Sequence, residues 1–325
     1  YSLYSNTSGS YNTATGNSSL YSNTTGANNS AFGAEALKYN TTGSDNTAIG
    51  QSALNSNTTG YDNTAVGTTA LTYNTTGHNN TAIGEDALYN NTTGYENTAV
   101  GEDAMLSNTT GFENTAIGKH SLGSNTSGEW NTAIGDAAMW SNTTGSRNAA
   151  VGKDALGRNT TGINNTGIGF NALDANTTGK GNTAIGADAL DEATTANYNT
   201  AVGYYTLRNT TTGYENTGIG AFALRENTTG QQNVALGDGS LLMNTTGSNN
   251  VAVGIRAGRN NATGSNNVFI GNRAGSNETG SNTLYIDNSD TSTPLIKGDF
   301  ANDTLTINGD MTVTGALTAD IINDT

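Results

Sequence analysis

Apolar residues fall along this chain at a fixed phase that is neither helical nor simply alternating. "NTTGSDNTAIGQSALNS" at 40–56 is followed at once by "NTTGYDNTAVGTTALTY" at 57–73, and the pattern runs without insertion or deletion from Asn6 to Asn277. Numbering each unit from its first residue, the Asn of "NTTG", gives sixteen 17-residue units, the first starting at residue 6 and the last at residue 261. Column 7 is always Asn and column 11 always Gly; column 4 is Gly except at Ala196. Column 10 is Ile, Val or Leu beyond Thr15 and Phe32, column 15 is Leu or Met from Leu20 to Leu241, and column 9 is Ala or Gly until Phe269.

"NTAIG" alternates polar and apolar with β-favouring residues, as a strand does. Gly at columns 4 and 11 supplies turns, where positive φ is accessible to it. Helical repeats need units of roughly thirty residues or more, and coiled coils need heptads. The pattern predicts an all-β chain: a parallel β-solenoid, or β-roll, of 17-residue coils over 1–287, with two short strands and two turns in each. At ~4.8 Å per coil the rod is roughly 75 Å long. The repeat fades after Asp287, and 288–325 is a C-terminal β segment, with turn signals at Asn308–Gly309 and Gly315. That segment is a cap, a stalk entry or a connector between subunits.

Stacked identical coils place the column 7 residues Asn46, Asn63, Asn80, Asn97, Asn114 and Asn131 in a ladder of amide bonds. The "NTT" sequons of column 1 leave a second reading open, N-glycosylation once per coil. One Ile or Val and one Leu per coil is a thin core against the ordering of 17 residues, so a further surface should be buried. If column 10 points inward, column 9 points outward. Ala48, Ala65, Ala82, Ala99, Ala116 and Ala133 then form an inter-chain packing strip, because a free surface column would not be held to Ala. The opposing reading puts column 9 in a cramped interior and the Thr of column 8 outside.

The "NTAIG" and "NTAVG" segments resemble the Asn-Ser-Val-Ala-Ile-Gly repeats in the head domains of trimeric autotransporter adhesins, over about residues 6–287. The segment beginning "LYIDNSDTSTPLIKGDF" is similar to stretches of phage tail-fibre and fibrous surface proteins. These resemblances imply a homotrimer or stacked fibre, an extracellular, cell-surface or virion-surface location, and attachment to a surface glycan or protein receptor. The unit here is longer than the family's, and column 8 carries Thr.

Composition narrows the classes further. The net charge of -15 argues against a nucleic-acid partner. The absence of Cys excludes disulfides and thiolate metal sites, and no apolar run reaches membrane-spanning length. Exposed aromatics at Tyr61, Tyr95, Phe112, Trp130, Trp140 and Tyr214 are candidates to face a ligand. Carboxylates recur in neighbouring units, Asp45 with Asp62 and Glu96 with Glu113, either as solvated acids or with calcium between them. "GIGAFA" at 218–223 mimics a dinucleotide fingerprint, but its Gly and Ala are repeat columns, and neither His78 nor His120 is set in a nucleophile or acid pair. The expectation is a non-enzyme without cofactor, a rigid shaft or head, or alternatively the subunit of a head-to-tail filament. A remoter reading is ice binding by the Thr pairs of columns 2 and 3, such as Thr58–Thr59 and Thr75–Thr76.

Overall fold

A computed structural model describes residues 1–314. Sixteen three-residue strands, β1 (Thr13–Thr15) through β16 (Val268–Ile270), each occupy columns 8–10 of one unit. Each pairs in parallel with the next in a one-unit register, as in Thr47↔Thr64, Ala48↔Ala65 and Ile49↔Val66. The chain is thus a parallel β-solenoid of 17-residue coils. Each coil contains one strand rather than the two expected. Columns 13–17 do hydrogen-bond to the next coil, with Leu54 N–H on Ala70 O at 2.9 Å and Ser56 N–H on Thr72 O at 2.9 Å. They do not extend, because columns 13 and 15 are left-handed: Ser52 has φ 57° and Leu54 φ 51°. A bulky residue in that region is strained by roughly 1–2 kcal/mol, and the coil accepts such backbone at three columns, 6, 13 and 15, as at Asp45, Ser52 and Leu54.

The two Gly columns work differently. Column 11 adopts φ between 116° and 144°, a backbone that L side chains rarely take. Column 4 has no such φ; a Cβ on Gly60 would overlap the carbonyl of Gly77 and the Asn57 amide. Column 4 is therefore Gly for close approach of the next coil.

The core reverses the expected facing of the strand. Ala48, Ala65, Ala82, Ala99, Ala116 and Ala133 are wholly buried inside their own chain, so they are not an inter-chain packing strip. They meet the buried column 15 Leu or Met and the small residues of column 14, such as Leu54 and Ala53. Space explains it: a Cβ at the column 9 Gly167 would already lie 3.4 Å from Leu156 Cγ. An interior closed by 17 residues, with two Asn columns also inside, holds Ala and Leu but no additional Ile. Column 10 points outward instead.

At the end of the repeat, β17 (Thr283–Ile286) adds in parallel to β16, with Tyr285 opposite Phe269. Then β18 (Ile296–Asp299) and β19 (Thr304–Ile307) extend the same sheet antiparallel. The turn signal at Gly315 lies outside the described residues.

Candidate functional site

Two Asn ladders run through the interior. In column 7, Asn63 Nδ2 donates to Asn46 Oδ1 at 3.1 Å and to Gly77 O at 2.9 Å, while Asn46 Oδ1 also accepts the Asn63 N–H. The contacts recur at Asn80, Asn97, Asn114 and Asn131. In column 1, Asn57 Nδ2 donates to Asn40 Oδ1 at 2.8 Å and to Gly60 O at 2.9 Å. These Asn residues are fully buried. Both amide hydrogens of such a sequon Asn are engaged, so the folded coil offers no nitrogen for a glycan.

The hydroxyls of column 2 are also engaged: Thr58 Oγ1 donates to Thr75 O at 3.0 Å, and Thr75 Oγ1 to Thr92 O at 3.0 Å. Column 3, with Thr59 and Thr76, is exposed.

The outward side of the strands carries a regular apolar surface. Column 10 forms a row of exposed apolar side chains, including Phe32 at 42%, Ile49 at 44%, Ile117 at 40%, Ile168 at 40% and Ile270 at 40% exposure. Half-buried Thr of column 8 runs beside it and becomes Val234, Val251 and Val268 toward the C-terminal end. The sheet's backbone groups are already paired between coils, so this face offers apolar contact and hydroxyls. Sequence reasoning missed it by facing the strand the wrong way.

Of the predicted aromatics, Tyr61, Tyr95, Phe112 and Trp130 are brought together, with His78 among them. Tyr61, His78, Tyr95 and Phe112 occupy column 5 of successive coils and stack with ring centroids 4.8, 5.1 and 4.8 Å apart. Trp130 closes the column edge-on to Phe112 at 5.5 Å, holds the Glu113 carboxylate through Nε1 at 3.0 Å, and carries the Arg147 guanidinium 4.7 Å from its ring. Ring faces inside this ladder are covered by neighbouring rings, which leaves edges rather than faces for a ligand. Trp140 lies apart, edge-on to His120 at 5.1 Å, and Tyr214 stands elsewhere, 39% exposed.

The acidic neighbours are mostly met by donors. Asn28 Nδ2 donates to Asp45 at 3.0 Å, Lys119 sits on Glu102 at 3.0 Å and His120 on Asp103 at 3.3 Å. Among the described residues, one group offers three metal-ligating atoms within 4.8 Å: Glu102, Asp103 and His120. A set containing an imidazole, with an ammonium already on one carboxylate, does not fit the all-oxygen coordination calcium takes.

A groove of about 620 Å³ opens beside Trp140, over Gly157 and Ala175. Two half-buried carboxylates there, Asp174 and Asp191, are held above the ordinary range by burial. The Asp191 carboxyl is raised to about 6, with Glu192 adding to the effect and Arg208 opposing it. These residues were not singled out from the sequence, although Asp174 and Asp191 share column 16 of successive coils and so repeat the stacked-carboxylate pattern seen at Asp45 and Asp62. No protein-family model, curated protein or solved structure matches the chain.

Proposed function

We propose that the chain is a non-enzymatic structural rod whose copies associate side by side through the column 8 and column 10 face. In this reading three copies form the shaft or head of an extracellular attachment fibre, as in the adhesin heads that the repeats resemble. The observation that carries it is the row of outward apolar side chains from Phe32 to Ile270. Soluble monomers rarely expose contiguous apolar patches beyond a few hundred Å². A face ~75 Å long and ~10 Å wide would bury roughly 750 Å² on each partner, near the size of a standard specific interface.

Light scattering with electron microscopy tests this on the intact chain and on a variant carrying Ile117→Lys, Ile134→Lys, Val151→Lys and Ile168→Lys. The expected result is a species near three times the 33.2 kDa chain mass, reduced to a monomer by the four lysines. These positions are already solvent-facing, so the coil should survive the change. A wild-type monomer would overturn the proposal, and thermal hysteresis assays would then examine the exposed Thr rows. Long single-width filaments that ignore the lysines would favour head-to-tail polymerisation.

A further inference from the structure

The outward apolar row does not stop where the repeat ends. Leu284 and Ile286 of β17 stand opposite Val268 and Ile270 of β16. Gly298 and Ile296 of β18 stand opposite Leu284 and Ile286 in turn, and Leu305 and Ile307 of β19 opposite Gly298 and Ile296. Directly opposite residues share a face of the sheet, so three more strands continue columns 8 and 10. Packing agrees: a Cβ on Gly298 would lie 2.9 Å from Leu284 Cβ, on that same side. The other face of the hairpin is polar, with Thr283, Lys297, Asp299, Thr304 and Thr306 lining one groove. An antiparallel sheet with one face solvated turns its apolar face to a core and its polar face to water. Here the apolar face of β19 is itself in the open, with Leu305 65% and Ile307 38% exposed. The row also changes along the rod. Columns 8 and 10 are Thr13 and Thr15 in β1, Thr with Ile or Val through most coils, and Val268 with Ile270 in β16.

We propose that β17–β19 is the lock of the assembly: the Leu305–Ile307 face of each copy packs on the same face of its neighbours and holds the copies parallel and in register. This rests on the side-by-side reading and adds to it an orientation and an energetic centre. The occupant is a second copy because the hairpin face is continuous with the association face. Parallel copies lay this apolar end on its own equivalent, whereas antiparallel copies would lay Leu305 toward polar Thr13 and Thr15. The strip carries no charged side chain from β1 to β19, so chains of net charge -15 can approach along it without bringing like charges together. Three further strands at ~4.8 Å lengthen the ~10 Å wide face by ~14 Å and bring it to roughly 900 Å² per partner. That clears the ~800 Å² of a standard specific interface.

The chain has no cysteine, so single introduced cysteines report which faces meet. Under a mild oxidant at micromolar concentration, Leu305→Cys should give covalently linked pairs of chains on a non-reducing gel. Thr306→Cys, on the polar face of the same strand, should not. Leu305→Lys with Ile307→Lys should raise the concentration of half-dissociation in light scattering at least tenfold further than Ile117→Lys with Ile134→Lys. All four positions face solvent in the single chain, and an unchanged thermal melt of the dissociated chains checks that each variant folds. Equal effects of the two lysine pairs would overturn the lock and leave the side-by-side reading standing. So would a Leu305→Cys assembly of normal mass that stays unlinked, which places some other occupant on the face. Equal linking through Thr306→Cys marks random collision and overturns it as well. Leu305→Cys that links only when mixed with Thr15→Cys would show antiparallel copies and overturn the assigned orientation. A wild-type monomer removes the side-by-side reading itself, and the lock with it.

Discussion

A buried amide is destabilising unless its donors and acceptor are all met, and the coil meets them by translation: each column 7 Asn answers its neighbours along the rod, and in column 1 Asn23 through Asn176 each donate to the Asn one coil before, whereas the Asn227, Asn244 and Asn261 amides toward the C-terminal end are left partly unmet. The arrangement is visible where it is broken. Ala193 stands in column 1 where Asn is the rule, and Asn176 Oδ1 in the preceding coil is consequently left without a donor. In that same coil column 4 changes from Gly to Ala196. The two changes belong together, because a Cβ in column 4 overlaps the column 1 amide oxygen of its own coil, as Gly145 does with Asn142. The next coil gives slightly as well: Thr194 N–H reaches Thr211 O at 3.2 Å, against 2.9 Å for Thr177 N–H to Thr194 O. Gly145→Ala should therefore cost less in an Asn142→Ala background than in the wild type. A coupling of at least ~0.5 kcal/mol is expected from the double-mutant cycle by chemical denaturation. A strictly additive result would mean that only the Gly162 carbonyl limits column 4. The Asn ladder itself was legible, because an amide held at fixed phase through sixteen units has few roles besides pairing with its own copies.

At the scale of one coil, columns 9 and 15 share a single volume. Leu or Met fills it from column 15 while column 9 stays Ala or Gly. In the last two units the assignment is exchanged: Phe269 enters from column 9, and column 15 becomes Gly258 and Gly275, each of whose Cβ atoms would overlap the Phe269 ring. A smaller exchange pairs Gly218 with Thr206, whose methyl a Cβ on Gly218 would strike. Phe269→Ala should destabilise the C-terminal coils by roughly 3–5 kcal/mol through the cavity it leaves. Adding Gly258→Leu and Gly275→Leu should restore most of that loss in guanidinium melts, since Leu takes the same left-handed backbone in the other coils. No recovery would show that the exchange answers to the β17 junction and Tyr285 rather than to core volume.

The same comparison shows what the sequence held and how it was misread. Column 10 tolerates Thr15, Phe32, Ile, Val and Leu236, a spread of sizes that a tightly closed interior would refuse, while column 9 is nearly invariant in volume. Constancy of volume marked the inside; hydrophobicity alone pointed to the wrong face. The single strand per coil was not legible, because a Leu at positive φ contradicts its local preference and is imposed by closure of the coil. The groove residues were hidden for the opposite reason: a gap made by Gly157 and Ala175 has no periodic signal.

For the whole molecule, the seventeen strands of the parallel ladder, β1 to β17, extend in one direction. At ~4.8 Å per step a rod of this length has a radius of gyration of ~25 Å, against ~20 Å for a compact chain of the same size. Lateral association thickens the rod without lengthening it, whereas end-to-end association does the reverse, so the cross-sectional and overall radii from X-ray scattering separate the two. Salt adds a second discriminant. Copies carrying a net charge of -15 repel one another, and the outward face offers Ile, Val and Thr rather than ion pairs. Screening should therefore strengthen side-by-side association, raising the cross-sectional radius at constant length as sodium chloride increases from low concentration to ~0.5 M. Dissociation over that range would mean that charge pairing among columns 5, 6, 12 and 13 holds the copies together, and the apolar row would lose its assigned role.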